Sequence, residues 1–386
     1  MDMRGIRKLL EPAALLDPYP IYREWHRQGP VRWDTDIDAW VVTGAAEGYT
    51  VLRENGVFCS DWRRIGETTP RSLLSIQTLD PPAHTGIRHA LVEGLKAVGA
   101  VDSLEHLLAA EIDARLAELE RRGTFDFVSL FAEPLALAAV THLLGAPPVE
   151  RDWFVPLSNT IVDGMDAALR PECYEPGVEA RAQLTALAGE WLAAPPAGGL
   201  IAHLLGSTTT GALDRDVLLN SVRVILQAGF QTASRFLAFG MLTLLRLPRE
   251  ERRPVATEVA VNELVRFDGP VHAESRGCVR DTELGGQKIR SGEEVTVLLG
   301  AANRDPALFD RPDTLVLDRT PNRHIGFGRG PHACLGAPFA VQLAKAAFAA
   351  LTERYPDAEL VSEPVPRPNI TERGLYRLEV SLHAGS

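Results

Sequence analysis

The chain has 386 residues, enough for two or three domains, yet no Ser/Gly-rich or Pro-rich linker divides it, and an apolar share of 45% suffices for one large core. Its net charge of -11, with no basic run or interleaved aromatic stripe, excludes nucleic acid as a partner. The four cysteines (Cys59, Cys173, Cys278, Cys334) are dispersed without the spacing of a disulfide scaffold, which fits a reducing compartment.

The N-terminal stretch MDMRGIRKLLEPAALLDPYP breaks its apolar run at Glu11, Pro12 and Asp17. That is a poor signal peptide and cannot span a membrane, so the expectation is a soluble, cytoplasmic protein. WVVTG (40–44) reads as an early strand. From about 84 to 250 apolar residues recur at three- and four-residue intervals, the helical period. At the start of this region DPPAHTGIRHAL (80–91) places His84 and Arg88 four apart, on one helix face, a spacing that a solvated face explains equally well. HLLAAEIDARLAELERR (106–122) is an amphipathic helix stopped by Gly123.

The run from 213 to 248 is longer. Asp214 caps it and Pro248 ends it, leaving some 30 residues, or roughly 45 Å. A helix so long and apolar must run through the middle of the protein. At its centre is AGFQTAS (228–234), where Gly229 costs about 1 kcal/mol relative to Ala and needs a reason, helix packing being one. The Thr232 hydroxyl can bond backward to a carbonyl and loosen the helix locally. VNELVRFDGP carries Glu263 and Arg266 one turn apart, a common surface pair when met alone. TELGGQKIRSGEEVTVLLG (282–300) alternates around Gly-Gly and Ser-Gly turns, and LYRLEVSL (375–382) closes the chain as a strand. The composite is a mainly helical α+β protein with a long central helix, small sheets, a single domain over 1–386 and no internal repeat.

FGRGPHACLG (327–336) sets one cysteine among three glycines. It reads as a buried structural Cys beside a tight turn, or as a phosphate cradle, although no GKS/GKT ending supports the latter. Zinc would want more thiolates or imidazoles at ligand spacing, and no CxxC occurs. The fourth reading is a thiolate binding the metal of a flat cofactor. After Cys334 comes LGAPFAVQLAKAAFAALTERYP, an Ala-rich helix with Pro338 in its opening turn and Pro356 after its end. The thiol therefore sits at a helix N-terminus, where free N–H groups favour a thiolate. Gly328, Gly330 and Gly336 let the backbone approach a flat ring. Such a loop suits a haem iron with an axial thiolate.

The pattern FGxGxHxCxG, filled by Phe327, Gly328, Gly330, His332, Cys334 and Gly336, resembles the haem-binding loop of the cytochrome P-450 family. Three further motifs follow in the family's order, and LLGAANRDPALFDRPD (298–313) reads like its bacterial, ferredoxin-dependent members, so the likeness covers nearly the whole chain. The resemblance implies the P-450 fold and haem b (iron protoporphyrin IX) with Cys334 as axial iron ligand. It implies propionate contacts from His84, Arg88, Arg276 and His324, and a buried structural cluster of Glu263, Arg266 and Arg319. Ala228, Gly229 and Thr232 match the family's distal helix motif, where Gln231 replaces the usual Asp or Glu.

What the resemblance implies for activity is a monooxygenase that inserts oxygen from O2 into a small or medium organic molecule, in specialised metabolism. Its electrons would come from a separate ferredoxin and ferredoxin reductase docking near Arg329. Oxidative coupling, desaturation and peroxide-driven oxidation are alternative outcomes, and a non-catalytic haem sensor is another, encouraged only by Gln231. By family position the substrate pocket draws on Trp62 to Leu74, the helices near 154–170, Phe230, Val271, His272, Glu274 and the turn from Ile370 to Glu372. Arg63, Arg64, His272 and Glu274 would meet a polar substrate group or face solvent. A neutral Gln231 cannot accept and pass on a proton as a carboxylate does. Proton delivery is then expected to rest on Thr232 and ordered water, with slow or poorly coupled turnover on generic substrates.

Overall fold

A computed structural model describes residues 5–207, 213–252 and 255–383. Its main helices are α1 (Ala45–Arg53), α2 (Ala83–Ala97), α3 (Ala100–Leu119), α4 (Glu133–Leu144), α5 (Arg151–Asp163), α6 (Tyr174–Ala193), α7 (Arg215–Leu245), α8 (Glu258–Asp268) and α9 (Ala337–Arg354). α7 is the long apolar run, 31 residues capped by Asp214, whose carboxylate accepts from the Asp216 and Val217 N–H groups. Its length is about 46 Å. Over residues 220–245 every residue is buried except Ile225, Ala228, Gly229 and Thr232.

Close packing explains how α7 is covered. Gly240 leaves room for the Phe348 ring of α9, which Phe236 also meets edge-on at 6.0 Å. A Cβ on Gly229 would lie 2.8 Å from Val140 of α4. Gly189 brings α6 against Leu219. α3 contributes Leu104, Leu108, Ile112 and Leu116 at four-residue intervals to the same core. It begins earlier than its amphipathic pattern implied and ends at Leu119, with Glu120 as C-cap and Gly123, at φ +74°, three residues beyond the cap.

The main sheet has strands β1 (Val31–Asp34), β2 (Ala39–Val42), β3 (Phe58–Cys59), β4 (Ala273–Cys278) and β5 (Glu294–Leu298), in the order β1-β2-β5-β4-β3. Only β2 and β5 run parallel. Gly285 and Gly286, both at positive φ, make the turn between Thr282–Leu284 and Gln287–Ile289. The C-terminal run 375–382 is two strands rather than one. Leu375–Arg377 pairs with Val365–Pro366, and Glu379–Ser381 pairs with Thr124–Asp126 and Glu359–Leu360. Leu378 is the break: its N–H donates to Asp126 Oδ1 and its carbonyl accepts from the Phe127 N–H. Among the described residues no helix is long and apolar enough to cross a membrane.

Candidate functional site

The glycine-rich loop is closed by its own backbone. Cys334 N–H donates to Phe327 O at 2.8 Å, Gly328 N–H to Ile325 O at 2.8 Å and Ala333 N–H to Gly330 O at 3.1 Å. Gly328 and Gly330 sit at φ +66° and +72°, a region that side chains strain to reach. Gly330 faces α1, where a Cβ would stand 2.7 Å from Leu52 O; its requirement is packing, not approach to a ring. Gly336 differs, since a Cβ there would meet only Cys334 Sγ, at 3.8 Å. That side of the loop is open.

Cys334 has accessible surface yet is enclosed by protein, as at the wall of an internal cleft. Burial pushes its thiol up, against the pull of the Gly336 and Ala337 N–H groups and the charge of Arg88. The expectation that helix position alone would favour a thiolate is thus corrected: burial outweighs the two donors. A metal cation would reverse the balance, because a coordinating thiol is deprotonated outright. Cys59, Cys173 and Cys278 are buried. Among the described residues no group of three or more His, Cys, Asp or Glu is placed to hold a metal ion.

Basic side chains gather beside the thiol. The His84 ring, buried on α2, lies 4.3 Å from that of His332, and its Nε2 has no hydrogen-bond partner. Burial, then His332 and Arg88, push His84 down to about 4. Asp80 compensates His332, accepting from its Nε2 at 3.2 Å and from Arg64 at 2.8 Å. Burial raises Asp80, but these bonds and those from the Asp61 and Ser60 N–H groups hold it well below the usual carboxylate range. Arg276 on β4 is buried and donates to Glu274 at 2.5 Å; Glu274 in turn reaches the Gly328 side of the loop. An orphaned ring nitrogen on His84, with His332, Arg88 and Arg276 around an accessible thiol, fits the carboxylates and iron of a haem.

His324 does not join them. Its Nε2 bonds Asn262 Oδ1 at 2.9 Å and its Nδ1 accepts from the Gly326 N–H at 3.2 Å, so neither nitrogen is left for a propionate. His332 is the histidine that lies against His84. Arg329 donates to His324 O, tying the same segment together. The structure also brings Glu263, Arg266 and Arg319 together in a buried cluster. Arg266 forks onto Glu263 at 2.7 and 2.8 Å, and Arg319 Nε reaches both carboxylate oxygens at 3.0 Å.

The four accessible residues within 220–245 of α7, at i, i+3, i+4 and i+7, form one stripe. Thr232 Oγ1 donates to Ala228 O at 2.8 Å within it. Gln231 points elsewhere. It is 1% exposed, donates to Asn159 Oδ1 at 3.2 Å and accepts from Arg235 Nε at 2.9 Å, so it is not placed to orient water on the stripe.

The structure gives several expected pocket residues other partners. His272 bonds Tyr22 Oη at 2.9 Å and faces Arg373 in a separate core. Phe230 packs edge-on against Phe154 at 5.0 Å. Ile370 is buried, with its N–H held by Asp166. Arg63 is engaged by Asp61 and Arg64 by Asp80. Trp62, Val271 and Glu274 stay half-buried. The Asn159–Gln231–Arg235 group and Asp80 carry no local sequence signal, since their partners come from distant segments.

A sequence model of the family described as Cytochrome P450 matches residues 254–377. The polyketide biosynthesis cytochrome P450 PksS of Bacillus subtilis is 28% identical over 96% of this chain and 96% of its own. The crystal structure of CYP109E1 from Bacillus megaterium in complex with testosterone superposes with a TM-score of 0.86 at 27% identity, over 96% of this chain and 99% of that one. Cytochrome p450 CYP199A2 of Rhodopseudomonas palustris is 32% identical over 97% of this chain and 93% of its own. With that identity held from end to end, the chain belongs to the cytochrome P450 family.

Proposed function

We propose that this family member is a single-domain haem b monooxygenase acting on a small or medium organic acceptor, fed by a separate ferredoxin and its reductase. The observation that carries the reading is the accessible Cys334 thiol, with two backbone N–H donors on its sulfur and the orphaned His84 Nε2 beside it. Cys334 would ligate the iron, while His84, Arg88, His332 and Arg276 would neutralise the propionates. Bound haem supplies dioxygen activation and transfer of one oxygen atom to the substrate. The protein's share is positional. The α7 stripe supplies a wall with little side-chain bulk, and the Thr232 hydroxyl, parked on Ala228 O, can turn to hold water or pass a proton at Oγ1.

Gln231 favours a second outcome at the same centre, peroxide-driven oxidation, in which no carboxylate relay is needed; the amide is committed to Asn159 and Arg235. Substrate-dependent consumption of NADPH and oxygen with a surrogate ferredoxin and reductase tests the main reading. Product formed with peroxide alone, and none with the redox chain, would select the second. A haem sensor gives product by neither route.

A further inference from the structure

Asp80 ties three segments together: residues 60–64, the start of α2 and the Cys334 loop. Its carbonyl accepts from the His84 N–H at 3.0 Å. Its carboxylate accepts at Oδ1 from the Ser60 N–H and His332 Nε2, and at Oδ2 from the Asp61 N–H and Arg64. Two bonds on each oxygen use all of the roughly four lone-pair sites a carboxylate has. Asp80 is 5% exposed, so it has neither the surface nor the spare acceptors to meet a ligand itself. Whatever it does at the site, it does through its donors.

Those donors border the place assigned to the haem carboxylates. The His84 and His332 rings lie 4.3 Å apart, one residue hung from the Asp80 carbonyl and the other from its side chain. Two buried atoms around this hub, His84 Nε2 and Ser60 Oγ, lack partners in the protein, so a ligand or water has to satisfy them. Charge matters too. The four bonds keep Asp80 ionised at neutral pH, and Arg64, also tied to Asn55 O at 2.8 Å, balances that charge from a partly exposed position.

We infer that Asp80 is a positioning residue for the haem: it fixes His84 and His332 relative to the Cys334 loop and, with Arg64, sets the charge felt at the iron. The inference rests on the haem reading. Asn in its place keeps the shape but turns one oxygen into an N–H donor facing two other donors, so one side of the hub must open. An anion beside the haem site favours ferric iron, which carries one more positive charge than ferrous iron, and a cation opposes it.

The test uses the haem-loaded protein with two readouts, haem transfer to excess apomyoglobin and the reduction potential of the iron. Asp80→Asn should release haem about 10- to 100-fold faster, the range typical when the side chain supporting a ligand-binding residue is removed, and should raise the potential. Arg64→Met should lower the potential, because it leaves the Asp80 charge unbalanced. Arg64→Lys, which keeps the cation, should leave it near native. Opposite shifts from two bonded residues separate this role from a general loosening of the fold. Unchanged transfer in Asp80→Asn, potentials that do not move, or shifts of the same sign would overturn the inference. Should Asp80→Asn not fold, the Arg64 variants decide alone: a potential lowered by Met and kept by Lys supports it, and any other result overturns it. A native protein without a thiolate-type spectrum would sink the haem reading and this inference together.

Discussion

Arg235 Nε donates to Gln231 Oε1 at 2.9 Å, one turn along α7, while the Glu372 carboxylate lies 3.6 Å from the same nitrogen. The residue at the family's acid position is therefore one part of a buried group that also includes Asn159. A carboxylate at 231 would pair with Arg235 instead of swinging toward water. Gln231→Glu should thus raise the thermal midpoint, as a bond from a guanidinium to a neutral amide becomes one between opposite charges. Its gain in product per NADPH should stay far short of the ~10²-fold typical of a restored proton-transfer group. A gain of that size would mean that the site lacked only the relay.

Thr232 is the stripe's one hydroxyl, and its bond to Ala228 O is local and replaceable. Thr232→Ala should keep substrate binding and oxygen uptake but divert reducing equivalents to peroxide. Thr232→Ser should retain most of the product yield. Equal product per NADPH in the alanine variant would remove Thr232 from proton handling.

The Glu263 cluster is structural, so its loss should be read in stability. Glu263 is 0% exposed and accepts from Arg266, Arg319, Asn322 and the Val316 N–H. Glu263→Gln leaves two guanidinium charges without their counter-ion and should cost about 3–5 kcal/mol in urea unfolding. A change within about 0.5 kcal/mol, the range of an ordinary surface substitution, would refute the assignment.

Two histidines away from the thiol make stability fall in mild acid. Burial, with Arg329, holds His324 down near 4, and burial, with Arg373 and Arg304, holds His272 well below its usual value. The unfolded chain protonates both near pH ~6.5, whereas in the folded protein His324 resists protonation down to about 4 and His272 is held down by burial in the same direction. Between those values the unfolded state binds more protons, so stability drops as pH drops, by about 1.4 kcal/mol per pH unit for each histidine. Above that window they contribute no slope. Asp80, whose folded value is depressed, acts lower: its stabilisation is present above ~3.9 and lost below. Urea midpoints from about pH 7.5 to 4.5 should show the slope, and His324→Asn should reduce it by one histidine's share. An unchanged slope in that variant would contradict the burial argument.

Local signals were legible because their physics is local. The Asp214 cap, the Gly285-Gly286 turn and the helical period of α7 and α9 each follow from neighbouring residues. The Cys334 loop was legible as a motif. Side-chain direction was not. Periodicity set Gln231 on α7 but not that Asn159, 72 residues away, would claim its amide. His324 precedes the loop and His332 lies in it, and only their partners, Asn262 for one and Asp80 for the other, separate a strut from the neighbour of His84.

The central claim is that Cys334, alone of the four cysteines, binds a haem iron. The direct measurement is the absorption spectrum of the reduced, carbon-monoxide-bound protein and its cysteine variants. The native protein, Cys59→Ala and Cys173→Ala should share a Soret band far to the red of a histidine-ligated haem, and Cys334→Ala should lose it. Retention of that band without the Cys334 sulfur, or its absence from the native haem-loaded protein, would contradict the account.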